Sequence, residues 1–600
     1  MKKKLLALVT TLLLPNMSFA AACADGANAA GCTIGTTGID YTLTGDIAPA
    51  SGVIGIQFTT GATTNTTTLT GNISTIGDNA YGLYLLNSNF NTTTLTGDIS
   101  TTGNEASGQI LFQSNSNTTT LTGDISTTGD SALGLGFTLS NSNTTTLTGD
   151  ISTGNVDGTR GAESYGLLLN LSDSNTTTLN GDISTTGNIA HGLYLFDSDS
   201  NTINLTGSLS ATGASSYAIY LDSFSDNNTI NLTLNQGDRL IGDIVNNGSG
   251  NTLNLTLNSG RASSYIYTSS GSTDLTWNIT DNSKPAIASS AKSRGVADMD
   301  DAGNRLYQRL SQINSSLTNQ QRQTRQGQAR GDYWIDSYYT DSERDTVLQE
   351  VNQHTRGITV GFNASGDRDL AMDVVINYEN SDAGYGLSEQ TVDSNSLMVG
   401  LSFPELMTAM DGSLAVKFLA GMSDNDRDLT VLNNTVTSGQ ETITDSYDST
   451  YVTAGASWMQ SLYATQRFHH NVLVGMDINH ERIEGSTASA YYRLDDRDIT
   501  QLVGQAQYGV TYTGINEKLT INGNIGLTHA NIIDGEKQHY TIDGTAVSYT
   551  ADKSNTYTTV SLGATYRLNP QAYAYANVKQ FDSTDDLDGT TGNVGLGVNF

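Results

Sequence analysis

Hydrophobic and polar residues alternate along most of the chain, but in two different larger rhythms. In the first half a unit close to Asn-Thr-Thr-Thr-Leu-Thr-Gly-Asp-Ile-Ser recurs, beginning at Asn65, Asn91, Asn117, Asn143, Asn175, Asn201 and Asn228, with a shorter copy at Asn251. The first three spacings are 26 residues, followed by 32, 26 and 27. A near-constant period of this size is the signature of a solenoid, in which each repeat buries its apolar face on its neighbours. The apolar positions form three columns: Leu69, Leu95, Leu121, Leu147, Leu179, Leu205, Leu232 and Leu255; Ile73, Ile99, Ile125, Ile151, Ile183 and Leu209; and Leu85, Leu111, Phe137, Leu169, Leu195 and Leu221. Period-two patterning in Thr, Leu, Ile and Tyr predicts strands. Three short strands per repeat, separated by Gly, Asn and Asp, fit one coil of a parallel β-helix. Coils stacked about 4.8 Å apart give a rod on the order of 40 Å long. Asn65 and its equivalents are placed to form an amide ladder, and the Gly before each Asp to make the sharp turn.

The second rhythm begins after Lys284 and Pro285. Residues 285–297 are small and polar and read as a linker. Met299, Ala302, Leu306, Leu310, Ile313 and Leu317 then recur at three- and four-residue spacing, predicting a helix over 298–325. From Gly331 onward, segments of about ten residues alternate in hydrophobicity, the weak per-strand signal of a transmembrane β-barrel. Twelve strands are predicted at 332–340, 356–364, 369–379, 395–403, 412–422, 450–461, 468–479, 501–513, 518–529, 556–567, 571–581 and 591–600. Polar runs at 423–449, 480–500 and 530–555 read as extracellular loops. Pro404 and Pro570 fall between strands, where a missing ladder donor is tolerated.

Composition narrows the function classes. A net charge of -32 excludes a phosphate-binding basic surface, so no nucleic-acid partner is expected. Between Cys23 and Lys284 the basic residues are Arg160, Arg239 and Arg261. At the N-terminus, Lys2 to Lys4, the apolar run Leu5–Leu14 and Ser18-Phe19-Ala20 read as a signal peptide over 1–20. Export favours a disulfide between the two cysteines, Cys23 and Cys32. No stretch beyond the signal is long and apolar enough for a membrane helix.

The order of these segments resembles the type V autotransporter family: signal peptide, solenoid, helix, twelve-strand domain, and a terminal strand Val594–Phe600 ending in Phe. The resemblance implies a right-handed parallel β-helix (solenoid) passenger over 21–284, followed by a short α-helix inside a 12-stranded transmembrane antiparallel β-barrel over 331–600. It further implies an outer-membrane location with the passenger at the cell surface, and Phe600 as a signal read by the barrel-assembly machinery. Outer-membrane lipid and periplasmic chaperones would be further partners. Trp277, in Leu275-Thr276-Trp277-Asn278-Ile279, resembles the family's passenger folding nucleus. Asn304 and Asn314 lack the Asn-Asn context of family members that cut their passenger free, which argues against self-cleavage.

Candidate chemistry in the passenger is sparse. Gly129-Asp130-Ser131-Ala132 is a repeat variant of Gly103-Asn104-Glu105 and no His precedes it. His191 shares a column with Tyr81, Tyr165 and Tyr217, a packing position. No enzyme activity and no cofactor are therefore expected, with a surface hydrolase as the alternative and a passive surface layer as another. Asp98, Asp124, Asp150 and Asp182 form an acidic column, a weak Ca²⁺ candidate beside the plainer reading of solvated turns. With Leu83 and Leu85 inward, Tyr84, Ile110, Gly136, Leu168, Tyr194 and Tyr220 are expected to face out as a contact stripe. The longer fourth repeat carries an insertion near 155–162 with Arg160, a second binding candidate. Stacked Thr and Asn faces suit side-by-side association of rods. The expected role is thus adhesion, autoaggregation or biofilm formation, through other passengers on neighbouring cells or through host or abiotic surfaces.

Overall fold

The computed structural model describes residues 21–154, 163–268, 275–281, 287–289, 293–296, 301–325, 332–345, 350–364, 371–386, 389–485, 492–514, 517–551 and 553–598. The signal-peptide reading, Arg160 and Phe600 lie outside these residues.

The N-terminal half is a parallel β-solenoid of about nine turns, built as the columns require. Each repeat supplies three strands, exemplified by Thr92–Thr96, Ile99–Thr102 and Gln109–Phe112. Each pairs in parallel, in register, with its counterparts one repeat away: Leu95 sits beside Leu69 and Leu121, Ile99 beside Ile73 and Ile125, and Leu111 beside Leu85 and Phe137. The three apolar columns meet inside as one continuous core from Cys23 to Trp277. The turn between the first two strands depends on glycine. Gly97 has φ 142°, and a Cβ there would overlap the carbonyl of Gly71 on the preceding coil.

Beyond the solenoid, Ile287–Ser289 and Ser293–Val296 pair as an antiparallel hairpin and continue onto Ala262–Thr268. The stretch expected to be a plain linker therefore carries two paired strands, whose small residues fit flat against an open sheet edge. The helix Ala302–Arg325, of 24 residues, follows. At about 1.5 Å per residue it spans about 36 Å. None of the described helices is long and apolar enough to cross a membrane.

Twelve antiparallel strands surround the helix, from Tyr333–Asp345 to Leu587–Val598. The first pairs with the last, Tyr333 opposite Val598, so the barrel is closed and has no edge. Outward side chains such as Val399, Phe418, Met476, Leu527 and Leu562 are exposed and apolar, whereas inward neighbours such as Asn377, Ser423, Thr453 and Asn479 are polar and buried. That is the lipid-out, polar-in alternation of a membrane barrel. Exposed Tyr333, Tyr463, Phe468 and Tyr566 lie at strand ends on the rim away from the solenoid.

Strand number matches the sequence reading, but strand length does not. The predicted loop 423–449 is mostly strand: Gly412–Leu432 and Gln440–Ala464 continue past the barrel as a long hairpin. Its polar outer positions hid it, since water takes the place of lipid there. Within 530–555 lies a second hairpin, Lys537–Ile542 with Thr545–Thr550, joined by Tyr492–Leu494 into a small sheet. Pro404 sits inside Gln390–Ala409 rather than between strands, at an irregularity in pairing between Phe403 and Met407 that spares its missing N–H.

Candidate functional site

The outer faces of the solenoid follow from its inner ones. In the sheet that runs from Thr66–Thr70 to Thr252–Leu257, every second residue faces away from the core. Those outward positions are all Thr or Asn. One column runs Thr66, Thr92, Thr118, Thr144, Thr176, Thr202, Thr229 and Thr252, and a second Thr70, Thr96, Thr122, Thr148, Asn180, Thr206, Thr233 and Thr256. Between them Thr68, Thr94, Thr120, Thr146 and Thr178 give way to Asn204, Asn231 and Asn254. The result is an uncharged lattice of hydroxyls and amides, spaced about 4.8 Å along the rod and about 7 Å across it. Its asparagines are tied coil to coil: Asn231 Nδ2 donates to Asn204 Oδ1 at 2.7 Å and Asn254 Nδ2 to Asn231 Oδ1 at 2.7 Å.

The tyrosine stripe is corrected. Tyr84, Ile110, Leu168 and Tyr194 do point out of the coil, but they are only 2, 3, 4 and 8% exposed, and Tyr220 is half-buried. The residues three positions upstream fold back over them. Tyr81 covers Tyr84 with ring centroids 5.0 Å apart, and His191 meets Tyr194 at 5.2 Å. A bare row of rings would be a large apolar patch, and the bend at the Gly after each covering residue closes it into a second core. Burial pushes the Tyr84 phenol up to about 12. His191 belongs to this layer, stacked 5.1 Å from Tyr165 and 5.0 Å from Tyr217, and its Nδ1 accepts the Tyr217 N–H at 3.0 Å. Burial lowers its pKa to about 4, so the ring is neutral at physiological pH. Ring and lone pair are both committed to packing, as the shared column implied.

The acidic column is a ladder. Asp98 Oδ1 accepts the Asp124 N–H at 2.9 Å, Asp124 Oδ1 that of Asp150 at 2.8 Å, Asp150 Oδ1 that of Asp182 at 2.8 Å, and Asp182 Oδ1 that of Ser208 at 2.7 Å. Each carboxylate thus closes a turn in the next coil. Among the described residues no group of three His, Cys, Asp or Glu side chains converges as a metal site. The plainer reading of turn carboxylates accounts for these bonds, with one oxygen of each Asp bound to backbone. Inside the coil Asn65, Asn91, Asn117, Asn143, Asn175, Asn201, Asn228 and Asn251 form the expected amide ladder, all about 1% exposed. Cys23 and Cys32 form a disulfide.

The sequence reading missed the junction between the halves. The tip of the long barrel hairpin reaches the last coils of the solenoid, and Leu432 is fully buried in the solenoid core. Ala262–Thr268 pairs in parallel with the hairpin, Ala262 beside Val431 and Ser263 beside Leu432. Asn434 Nδ2 donates to the Ile266 carbonyl at 2.9 Å, and its Oδ1 accepts the Ile266 N–H at 2.9 Å. Arg239 and Arg261 both donate to Gln440 Oε1, at 2.7 and 3.1 Å, and Arg261 pairs with Glu389. Arg239 and Arg261, two of three arginines in an acidic rod, were the one available signal. Below the junction Asn314 sits between Asp477, at 3.2 Å, and Lys417, at 2.6 Å.

Comparison with known proteins bears on the barrel. Residues 333–579 match the family model "Autotransporter beta-domain". Similar solved structures include the translocator domain of the autotransporter NalP from Neisseria meningitidis, 17% identical, covering 50% of this chain and 96% of that one with a TM-score of 0.39. The transport unit of the autotransporter AIDA-I from Escherichia coli is 8% identical, with 45% and 90% covered and a TM-score of 0.34. The β domain of the Bordetella autotransporter BrkA is 10% identical, with 45% and 99% covered and a TM-score of 0.33. The search of curated proteins returned no match.

Proposed function

This chain is an outer-membrane autotransporter with its β-solenoid displayed at the cell surface, and from that premise we propose that the solenoid is a non-enzymatic adhesive rod. It holds cells to one another, or to host or abiotic surfaces, in autoaggregation and biofilm. The observation that carries the reading is the Thr and Asn lattice, uncharged from Thr66 to Thr256 in a chain of net charge -32. A flat, repeated, uncharged face on an otherwise acidic rod is where two surfaces approach without like-charge repulsion. Its hydroxyls exchange hydrogen bonds at low cost, and many weak contacts acting together give avidity. His191 and Ser131 argue against a hydrolase: the one is buried and bonded to backbone, the other lies in a turn with φ 57°. The burial of Leu432 in the passenger core supports a rod that works while attached.

The test compares cells bearing the full chain, cells lacking residues 65–257, and cells carrying Thr94→Lys, Thr120→Lys and Thr146→Lys together. We expect settling in still culture and attachment to a coated surface only with the intact face. Equal behaviour of all three, with the rod detected at the surface, would refute the reading.

A further inference from the structure

The helix leaves part of the barrel lumen open. A cavity of about 70 Å³ separates one helix face from the strands opposite, with Ser315 and Arg322 on the helix and Gln507, Asn577 and Lys579 on the wall. Three other cations around the helix have anionic partners: Arg309 with Glu481 at 2.8 Å, Arg344 with Asp301 at 3.1 Å and Asp585 at 2.8 Å, and Lys417 with Asp477 at 2.9 Å. Arg322 and Lys579 differ. Among the described residues Arg322 Nη2 donates to the neutral Gln507 Oε1 at 2.6 Å, and its Nε has no partner although the side chain is 93% buried. Lys579 Nζ donates to Ser315 Oγ at 3.1 Å. The cavity's own carboxylate, Asp477, is already engaged by Lys417.

Two cations without counter-charge in a confined space inside a membrane are costly unless a mobile anion joins them. Ser315 and Arg322 stand seven residues apart on one helix, about 10 Å along the lumen, so the two charges are arranged as successive stations. Hydroxyl and amide groups line the walls between them and can replace part of an anion's hydration shell. We propose that this cavity binds small inorganic anions of the chloride class, and that the gap between helix and wall passes anions in preference to cations.

The full chain, reconstituted into planar bilayers with unequal KCl on the two sides, tests this through its reversal potential. The native protein should favour chloride over potassium by at least about 3-fold, and the Arg322→Gln, Lys579→Gln double variant should bring the ratio to about 1. Arg322→Lys with Lys579→Arg should keep the native preference. The shift of the barrel on electrophoresis with and without heating confirms that each variant is folded. A folded native barrel that is silent, unselective or cation-selective would overturn the proposal, as would an unchanged ratio in the double variant.

Discussion

Asn117 and Thr93 are neighbours in the repeat and should respond in opposite ways to removal of their polar groups. Asn117 Oδ1 accepts the Asn91 N–H at 2.9 Å, while its Nδ2 donates to the Ser88 carbonyl at 2.8 Å and to Asn143 Oδ1 at 3.2 Å. Asn117→Ala strands several buried groups, each costing about 1–3 kcal/mol. A marked fall in the urea midpoint of the solenoid is expected. Thr93 Oγ1 is buried with no partner, so Thr93→Val removes an unmet demand and should stabilise by ~1 kcal/mol. His191 adds a pH dependence. Its pKa is 6.5 in the unfolded chain and about 4 in the solenoid, so between those values the unfolded state binds more protons. The stability contributed by the neutral ring is whole above pH 6.5 and is lost as pH falls toward 4, on the order of 3 kcal/mol in all. Urea titrations at pH 7.5 and 4.5 should show this loss in the native chain, and a smaller one in His191→Phe, which keeps the stack without the titrating nitrogen.

Among the elements, the repeat strands were legible because burial on one face forces period two, and a fixed period of 26 residues puts like side chains in register. Tyr84 and Tyr194 misled because alternation says only that a side chain leaves the core. It does not say what Tyr81 or His191, three residues earlier, will do. The outer part of the Gly412–Ala464 hairpin, residues 423–449, was read as a loop for a related reason. Outside the membrane neither face needs lipid-like side chains, so Asp424 to Asp428 gave no apolar stripe to read. Its docking point is testable. Leu432→Asp places a charge in the solenoid core and should destabilise the junction by more than the about 2–5 kcal/mol of a large-to-small core change. Trypsin should then cut at Arg239 and Arg261, now screened by Gln440, at a rate several-fold above native.

For the molecule as a whole, the inward column changes character along the rod. Thr67, Thr93, Thr119, Thr145 and Thr177 are followed by Ile203, Ile230, Leu253 and Trp277 in the same column. The coils nearest the barrel therefore bury more apolar area than the distal ones and should be the last to open. Hydrogen exchange in detergent should show amides around Leu253 protected longer than those around Leu95. The change is visible in the sequence once the strands are aligned. The lumen cavity of Arg322 and Lys579 was not, because it arises from strands distant in sequence closing round one helix.

The solenoid's barrel end has a consequence for how rods meet. A parallel stack normally ends in bare coils that invite another stack to continue it. Here the end nearest the barrel is covered by the barrel hairpin, with Leu432 inside. Growth by end-to-end addition is closed off at the barrel end, which turns contact toward the flanks. Two rods from facing cells that overlapped fully along their flanks would set the gap between the membranes near one rod length, on the order of 40 Å. On the proposed adhesive role the rod would be a ruler as well as a glue: adding or removing repeats should widen or narrow that gap in steps of about 4.8 Å.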